Sequence, residues 1–287
     1  MAYQGFGKYR EVLSARAADP AIMCIGQDGG VVTALLCYAL DSGYIDGAVL
    51  TKKADEKWTP GQYVATSKED ILKSAGSIYA LSPSLYHLKE ATREMALEKV
   101  GYVGLPCQIE AVRKLQLYPF GARDIWNSLA LVIGIFCSEN FHPEGMRAIV
   151  EGMCKVPIES ICKMHIGKGK FMVEGDMHGE ASMKEASMYA QDGDHICPDL
   201  VAEWADISVG SIGSLPGWST VFLRSRKAQE LFYAAKAEGY LETMNIEEVE
   251  PGLKLLEKLS LAKKSMARET IDKRQKMGIY VTRDIYY

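Results

Sequence analysis

Two apolar runs, each closing on a cysteine, constrain this chain most. Val100-Gly-Tyr-Val-Gly-Leu-Pro-Cys-Gln108 carries Cys107 just past its end, and Leu129-Ala-Leu-Val-Ile-Gly-Ile-Phe-Cys-Ser138 carries Cys137. Both runs read as strands. If they are neighbours in one sheet, the two thiols emerge at the same edge, where sheet proteins tend to place ligand sites. A third cysteine, Cys197, precedes Pro198 and a helix-like stretch. Soft thiolates brought together select iron–sulfur clusters, zinc or copper(I). The pattern therefore favours electron transfer over hydrolysis or plain binding.

The length of 287 residues allows one large domain or two small ones, and 48% hydrophobic content supplies a substantial core. A formal charge of -4 argues against a nucleic-acid binder, which would carry a basic footprint. The first ten residues hold no apolar signal core. No apolar run approaches the roughly 20 residues needed to span a bilayer. The expectation is a soluble, cytoplasmic chain. Seven cysteines is an odd number, and with no secretory signal a disulfide framework is not expected. Cys24, Cys37, Cys154 and Cys162 read as small buried hydrophobes.

Helical and extended patterns alternate without repeats. Residues 29–40 predict a buried helix entered through Asp28 as N-cap and ended by Gly43. Residues 46–51 and 62–66 predict strands. Ser67-Lys-Glu-Asp70 has capping-box-like spacing, and Gly76 stops its helix. Further helices are expected over 85–97, 107–117 and 143–153, with strands over 99–105, 129–136 and 220–223. The glycine-rich middle third, 158–189, predicts short strands around 171–174. Residues 251–277 predict a long charged helix, apolar only near its start, whose polar second half reads as a surface or partner-contacting arm. The fold class is α/β or α+β.

Gln27-Asp-Gly-Gly-Val-Val-Thr33 puts two glycines at a helix start. That setting lets a phosphate approach backbone N–H groups, or it is a simple turn plus cap. Gly167-Lys-Gly-Lys-Phe171 suits a phosphate or carboxylate, or is a hairpin turn with solvated lysines. Residues 209–220 are small and donor-rich, as ordinary loops also are. In Gln191-Asp-Gly-Asp-His-Ile-Cys-Pro198, Asp194 and Cys197 form a D-x-x-C spacing. Asp194 or His195 could complete a metal site beside three cysteines, or Asp194 is a turn residue. No hydrolytic motif and no paired C-x-x-C knuckles occur.

Taken together, Ser14-Ala-Arg, Gln27-Asp-Gly-Gly-x-x-Thr, Pro106-Cys-Gln, Gly134-x-x-Cys-x-Glu-Asn-Phe141, Ile166-Gly-Lys-Gly-Lys-Phe171, Ala205-Asp-x-Ser-x-Gly-Ser-x-Gly-Ser214 and Gly217-Trp-Ser-Thr220 resemble the beta subunits of coenzyme F420-reducing hydrogenases. The resemblance implies one domain over 1–287: a mixed sheet flanked by helices, a cluster-binding segment and the C-terminal helical arm. It also implies FAD, one [4Fe-4S] cluster, and coenzyme F420 as hydride acceptor. The partners would be a nickel–iron large subunit and an iron–sulfur small subunit, in a larger assembly of heterotrimers. FAD phosphates are expected near Gly29, Gly30 and Thr33, with Gln27 also binding the cofactor, and the ring region near Ser77, Tyr79, Pro106, Gln108 and Gly169. The anionic F420 tail is expected at Lys168 and Lys170 in the Gly167 loop, with Arg113 as a further candidate. Cys107, Cys137 and Cys197 carry over as cluster ligands. Where the family has C-x-x-C, this chain has Asp194-His-Ile-Cys197, which makes Asp194 the positional fourth ligand. Rival readings are an F420-handling subunit of a formate dehydrogenase or other oxidoreductase, and a non-catalytic electron relay.

Overall fold

The computed structural model describes residues 3–54, 58–118 and 120–281. Met1 and Ala2, at the start of the segment read as lacking a signal core, lie outside the described residues, as do residues 282–287 of the expected domain. The chain begins with β1 (Glu11–Ala17), α1 (Pro20–Ile25), α2 (Val31–Asp41), β2 (Gly47–Lys53), β3 (Pro60–Ala65), α3 (Lys68–Lys73) and α4 (Tyr86–Lys89). It continues through β4 (Val100–Gly104), α5 (Pro106–Leu117), α6 (Arg123–Ser128), β5 (Leu129–Ile135) and α7 (Pro143–Arg147). Next come β6 (Ile161–Gly167), β7 (Lys170–Gly175), β8 (Gly179–Ser182) and α8 (Met183–Ala186). The last elements are β9 (Ile207–Gly210), β10 (Ser219–Leu223), α9 (Arg226–Ala237), β11 (Leu241–Met244) and α10 (Gly252–Lys276).

Eight strands form one mixed sheet in the order β11-β1-β10-β9-β5-β4-β2-β3. The pairings β2–β4, β4–β5 and β5–β9 among its middle strands are parallel, and the outer pairings are antiparallel. The two apolar runs are therefore adjacent parallel strands, with Gly104 level with Gly134. Continuous apolar sequence follows from burial on both faces. On one face Leu131 and Ile133 pack with α2 and α9, and on the other Val132 packs with Ile109 and Val112 of α5. Beyond β9, α10 covers that second face through Leu253 and Leu256 against Phe222.

A separate three-stranded antiparallel sheet, β6-β7-β8, has its own core around Phe141, Phe171 and Ile149. It is joined to the main body by the Gln27 amide, which donates to the Met164 carbonyl at 2.8 Å. Among the described residues no helix is long and apolar enough to cross a membrane.

Several local expectations are corrected. Helix α2 starts at Val31, and its N-cap is Gly30 in the left-handed region, not Asp28. Asp28 instead takes a hydrogen bond from Ser211, so a tertiary partner outcompetes the cap. No helix follows Cys197: residues 197–206 are loop and turn, where the buried Asp199 carboxylate accepts the amides of Val201 and Glu203. The 85–97 helix is α4 followed by a π-helical turn over Glu90–Glu94. The apolar stripe of α10 does not stop near its start, because Ser260, Ala267 and Ile271 are also buried.

Candidate functional site

The carboxyl ends of the parallel strands open into one cleft. Its lining takes Thr51 to Lys53 from β2, Val103 to Leu105 across the end of β4, Ile135 to Cys137 across the end of β5 and Val209 to Ile212 across the end of β9. This is the position open sheets favour for ligands. The α2 entry contributes Gln27, Asp28, Gly30 and Thr33, the segment after α3 contributes Ser77 and Tyr79, and β6 contributes Ile166. The empty space of the cleft, its open mouth included, is about 1660 Å³.

Many polar groups around it are already engaged. The Gln108 side chain accepts from the Leu105 amide at 2.9 Å, closing the first turn of α5, and donates to the Ser82 carbonyl at 2.5 Å. Tyr79 hydrogen-bonds the Ile166 backbone, its ring meets Phe171 edge-on, and burial pushes its phenol up. Both residues are walls rather than free donors. Asp28 is also pushed up by burial, against the pull of Lys163 and His165 across from it on β6. Asn140 lines the cleft, and its buried Oδ1 has no hydrogen-bond partner among the described residues. A buried orphan acceptor facing such a cleft fits a donor-bearing ligand there.

Beside the cleft, the structure gathers the three cysteines. Pro106 and Cys107 occupy the first turn of α5, directly after β4. Cys137 follows β5, and its amide donates to the Leu200 carbonyl at 2.9 Å. Cys197 ends the 3-10 turn Asp194–Ile196. The Asp194 Oδ2 accepts the Asn140 amide at 2.7 Å, which ties this turn to the loop after Cys137. Burial pushes the Cys107 thiol up to about 11 although its surface is open to solvent, and it pushes Cys137 and Cys197 up as well. Asp194 raises all three thiols, and Cys197 raises Cys107 and Cys137, so the four groups lie within electrostatic reach of one another. His195 is exposed, whereas Asp194 is part-buried.

Among the described residues no three His, Cys, Asp or Glu side chains close on a single metal ion. A [4Fe-4S] cluster is bound differently, with each ligand on its own iron at a corner of the cluster, so its donors stand farther apart. The three cysteines supply three of the four thiolates such a cluster takes, and the Asp194 carboxylate lies beside them. Bound iron would also reverse the upward shifts, since a coordinating thiol is deprotonated outright.

The other expected residues lie apart. Lys168 and Gly169, at φ 53° and 74°, form the two-residue turn of the β6–β7 hairpin, flanked by Gly167 and Lys170. None of the four lines the cleft, and Lys170 is paired with Glu180. Arg113 donates to the Trp204 carbonyl at 2.7 Å and pairs with Asp206, likewise outside the cleft lining. Gly29 sits behind the lining against Ser219. Cleft residues that the sequence reading did not single out include Lys52 and Lys53. For Glu139 and Asn140 the available signal was the Cys-x-Glu-Asn-Phe string itself.

Residues 12–89 match the family described as "Coenzyme F420 hydrogenase/dehydrogenase, beta subunit N-term", and residues 97–249 match the counterpart that describes the C terminus of the same beta subunit. The chain is 44% identical over 275 residues to the coenzyme F420 hydrogenase subunit beta of Methanosarcina barkeri, spanning 95% of this chain and 94% of the relative. It is 45% identical over 279 residues to the protein of that name from Methanococcus voltae, spanning 96% and 99%. A chain of the F420-reducing [NiFe] hydrogenase complex from Methanosarcina barkeri superposes over the whole of both chains, with a TM-score of 0.96 at 43% identity. By sequence and by structure, this chain belongs to the coenzyme F420 hydrogenase/dehydrogenase beta subunit family.

Proposed function

We propose that this chain is the electron-output subunit of an F420-reducing hydrogenase, working in the cytoplasm with a nickel–iron large subunit and an iron–sulfur small subunit. One observation carries the reading: Cys137 belongs to the group of three cysteines and also lines the large cleft. A group held by the thiols would border a ligand held in the cleft. A [4Fe-4S] cluster supplies one-electron transfer, and FAD couples such transfers to the hydride that coenzyme F420 accepts.

Cys107, Cys137 and Cys197 supply three cluster ligands. Asp194 supplies the fourth through Oδ1, because Oδ2 is engaged by the Asn140 amide. The α2 entry receives the FAD phosphates at a helix start, with Gln27, Gly30 and Thr33 in the cleft lining and Gly29 behind them. Ser77, Tyr79, Pro106 and Gln108 shape the ring region. The hairpin tip from Gly167 to Lys170 offers cations to the F420 tail.

The test is Cys137→Ser in the intact complex. Iron in this subunit and F420 reduction should both be lost, while hydrogen-driven reduction of a one-electron dye by the partner subunits persists. Full F420 reduction by a variant lacking that iron would overturn the proposed order of carriers.

A further inference from the structure

The lysine at position 263 is placed unlike the other charges of α10. Its ammonium donates to the Cys137 carbonyl at 2.5 Å. The residue as a whole is part-buried, and its charged end is strongly desolvated. Cys197, Asp194 and Asp199 also lie within electrostatic reach of it. Its neighbour Lys264 turns the other way, to Glu203. A buried cation whose hydrogen-bond partner is the backbone of a cysteine, not a carboxylate, is costly to keep without a further anionic partner.

We propose that Lys263 is a positioning residue for the redox site: a fixed cation held against the Cys137 carbonyl that favours the reduced state of the cluster and so raises its potential. The inference rests on the reading of Cys107, Cys137 and Cys197 as cluster ligands. One electron, arriving from the hydrogenase partner subunits, makes the site more negative by one unit charge. A nearby cation in a low-dielectric setting stabilises that added charge. Through this effect α10 would help set how readily electrons enter the subunit.

The experiment is a potentiometric titration of the intact complex, followed by electron paramagnetic resonance of the signal that Cys137→Ser abolishes. Lys263→Met removes the charge and the hydrogen bond. Lys263→Gln removes the charge and keeps an N–H donor, and Lys263→Arg keeps the charge. We expect both neutral variants to retain iron and to disfavour reduction at least tenfold, a fall of about 59 mV for one electron. The arginine variant should shift by less than half as much. An unchanged midpoint in either iron-loaded neutral variant overturns the proposal. So does loss of iron from both neutral variants with retention in Lys263→Arg, which would make the residue structural. If the wild-type subunit itself carries no iron, the cluster reading falls first and this inference falls with it.

Discussion

A methyl group at Gly29 would meet the Ala15 carbonyl oxygen at 2.7 Å and the Ser219 amide at 2.9 Å. One at Gly30, where φ is 64°, would meet Ile22 Cγ2 at 3.0 Å. Both glycines are thus required by the packing of the α2 entry against β1 and α1, whatever binds beside them. Gly29→Ala should cost about 1–3 kcal/mol by overpacking, read as a lowered denaturation midpoint. Loss of flavin in such a variant would therefore report folding rather than contact. Thr33 is the cleaner probe, since Thr33→Val keeps shape and removes one hydroxyl from the cleft wall. Its stability should stay within about 1.5 kcal/mol of wild type, while flavin per chain falls; unchanged flavin would remove Thr33 from the phosphate site. At the thiol group, Asp194→Cys should keep iron and shift the midpoint, whereas Asp194→Ala should lose iron. Equal iron in all three forms would show that the fourth ligand lies elsewhere.

Among the elements, the β6–β7 hairpin separates two roles that one lysine could play. Positive φ at both turn positions defines a two-residue turn of the kind that favours Asn-Gly, yet Lys168 stands first. Lys168→Asn removes a charge and suits the turn better, so it should not destabilise the chain. If the tip receives the anionic F420 tail, the KM for F420 should rise while reduction of a one-electron dye is unchanged. An unchanged KM would leave Lys168 as turn and surface only. The long last helix shows where sequence reading reaches its limit. Strands β4 and β5 were legible because burial on both faces writes itself as unbroken apolar runs. The second half of α10 was not, because its inward face is Ser260, Lys263, Ala267 and Ile271. These are spaced by three, four and four residues as a helix face must be, but a hydroxyl, an amine and a methyl stand where leucines would signal a core. The helix packs there on the Asp194–Ile196 turn, and Arg274 reaches the Asp192 carbonyl at 3.2 Å. Ala267→Glu should unseat this contact at a cost of several kcal/mol from a buried unpaired charge, lowering iron content before flavin.

At the scale of the whole molecule, the two matched segments do not form separate bodies of sheet. Strand β1, from the first segment, pairs with β10 on one side and β11 on the other, both from the second. The cleft is likewise shared: Gln27, Asp28, Gly30 to Thr33 and Thr51 to Lys53 come from the first, and Val103 to Leu105, Gln108, Ile135 to Asn140 and Val209 to Ile212 from the second. The composition of the chain announces neither fact, since strand order is set by long-range pairing that no local pattern encodes. The donor-rich stretch after β9 looked like any polar loop for the same reason: only its placement beside β5 brings it to the cleft. A ligand spanning both segments must then stabilise them together. In a flavin-stripped complex, free FAD at a hundredfold excess over its Kd should stabilise this subunit by about 2.7 kcal/mol. Hydrogen exchange should show that gain in β2 and β9 alike, because each ends in the cleft wall. Protection confined to the first segment would mean that the flavin contacts the α2 entry alone, and the second segment would then have no share in holding it.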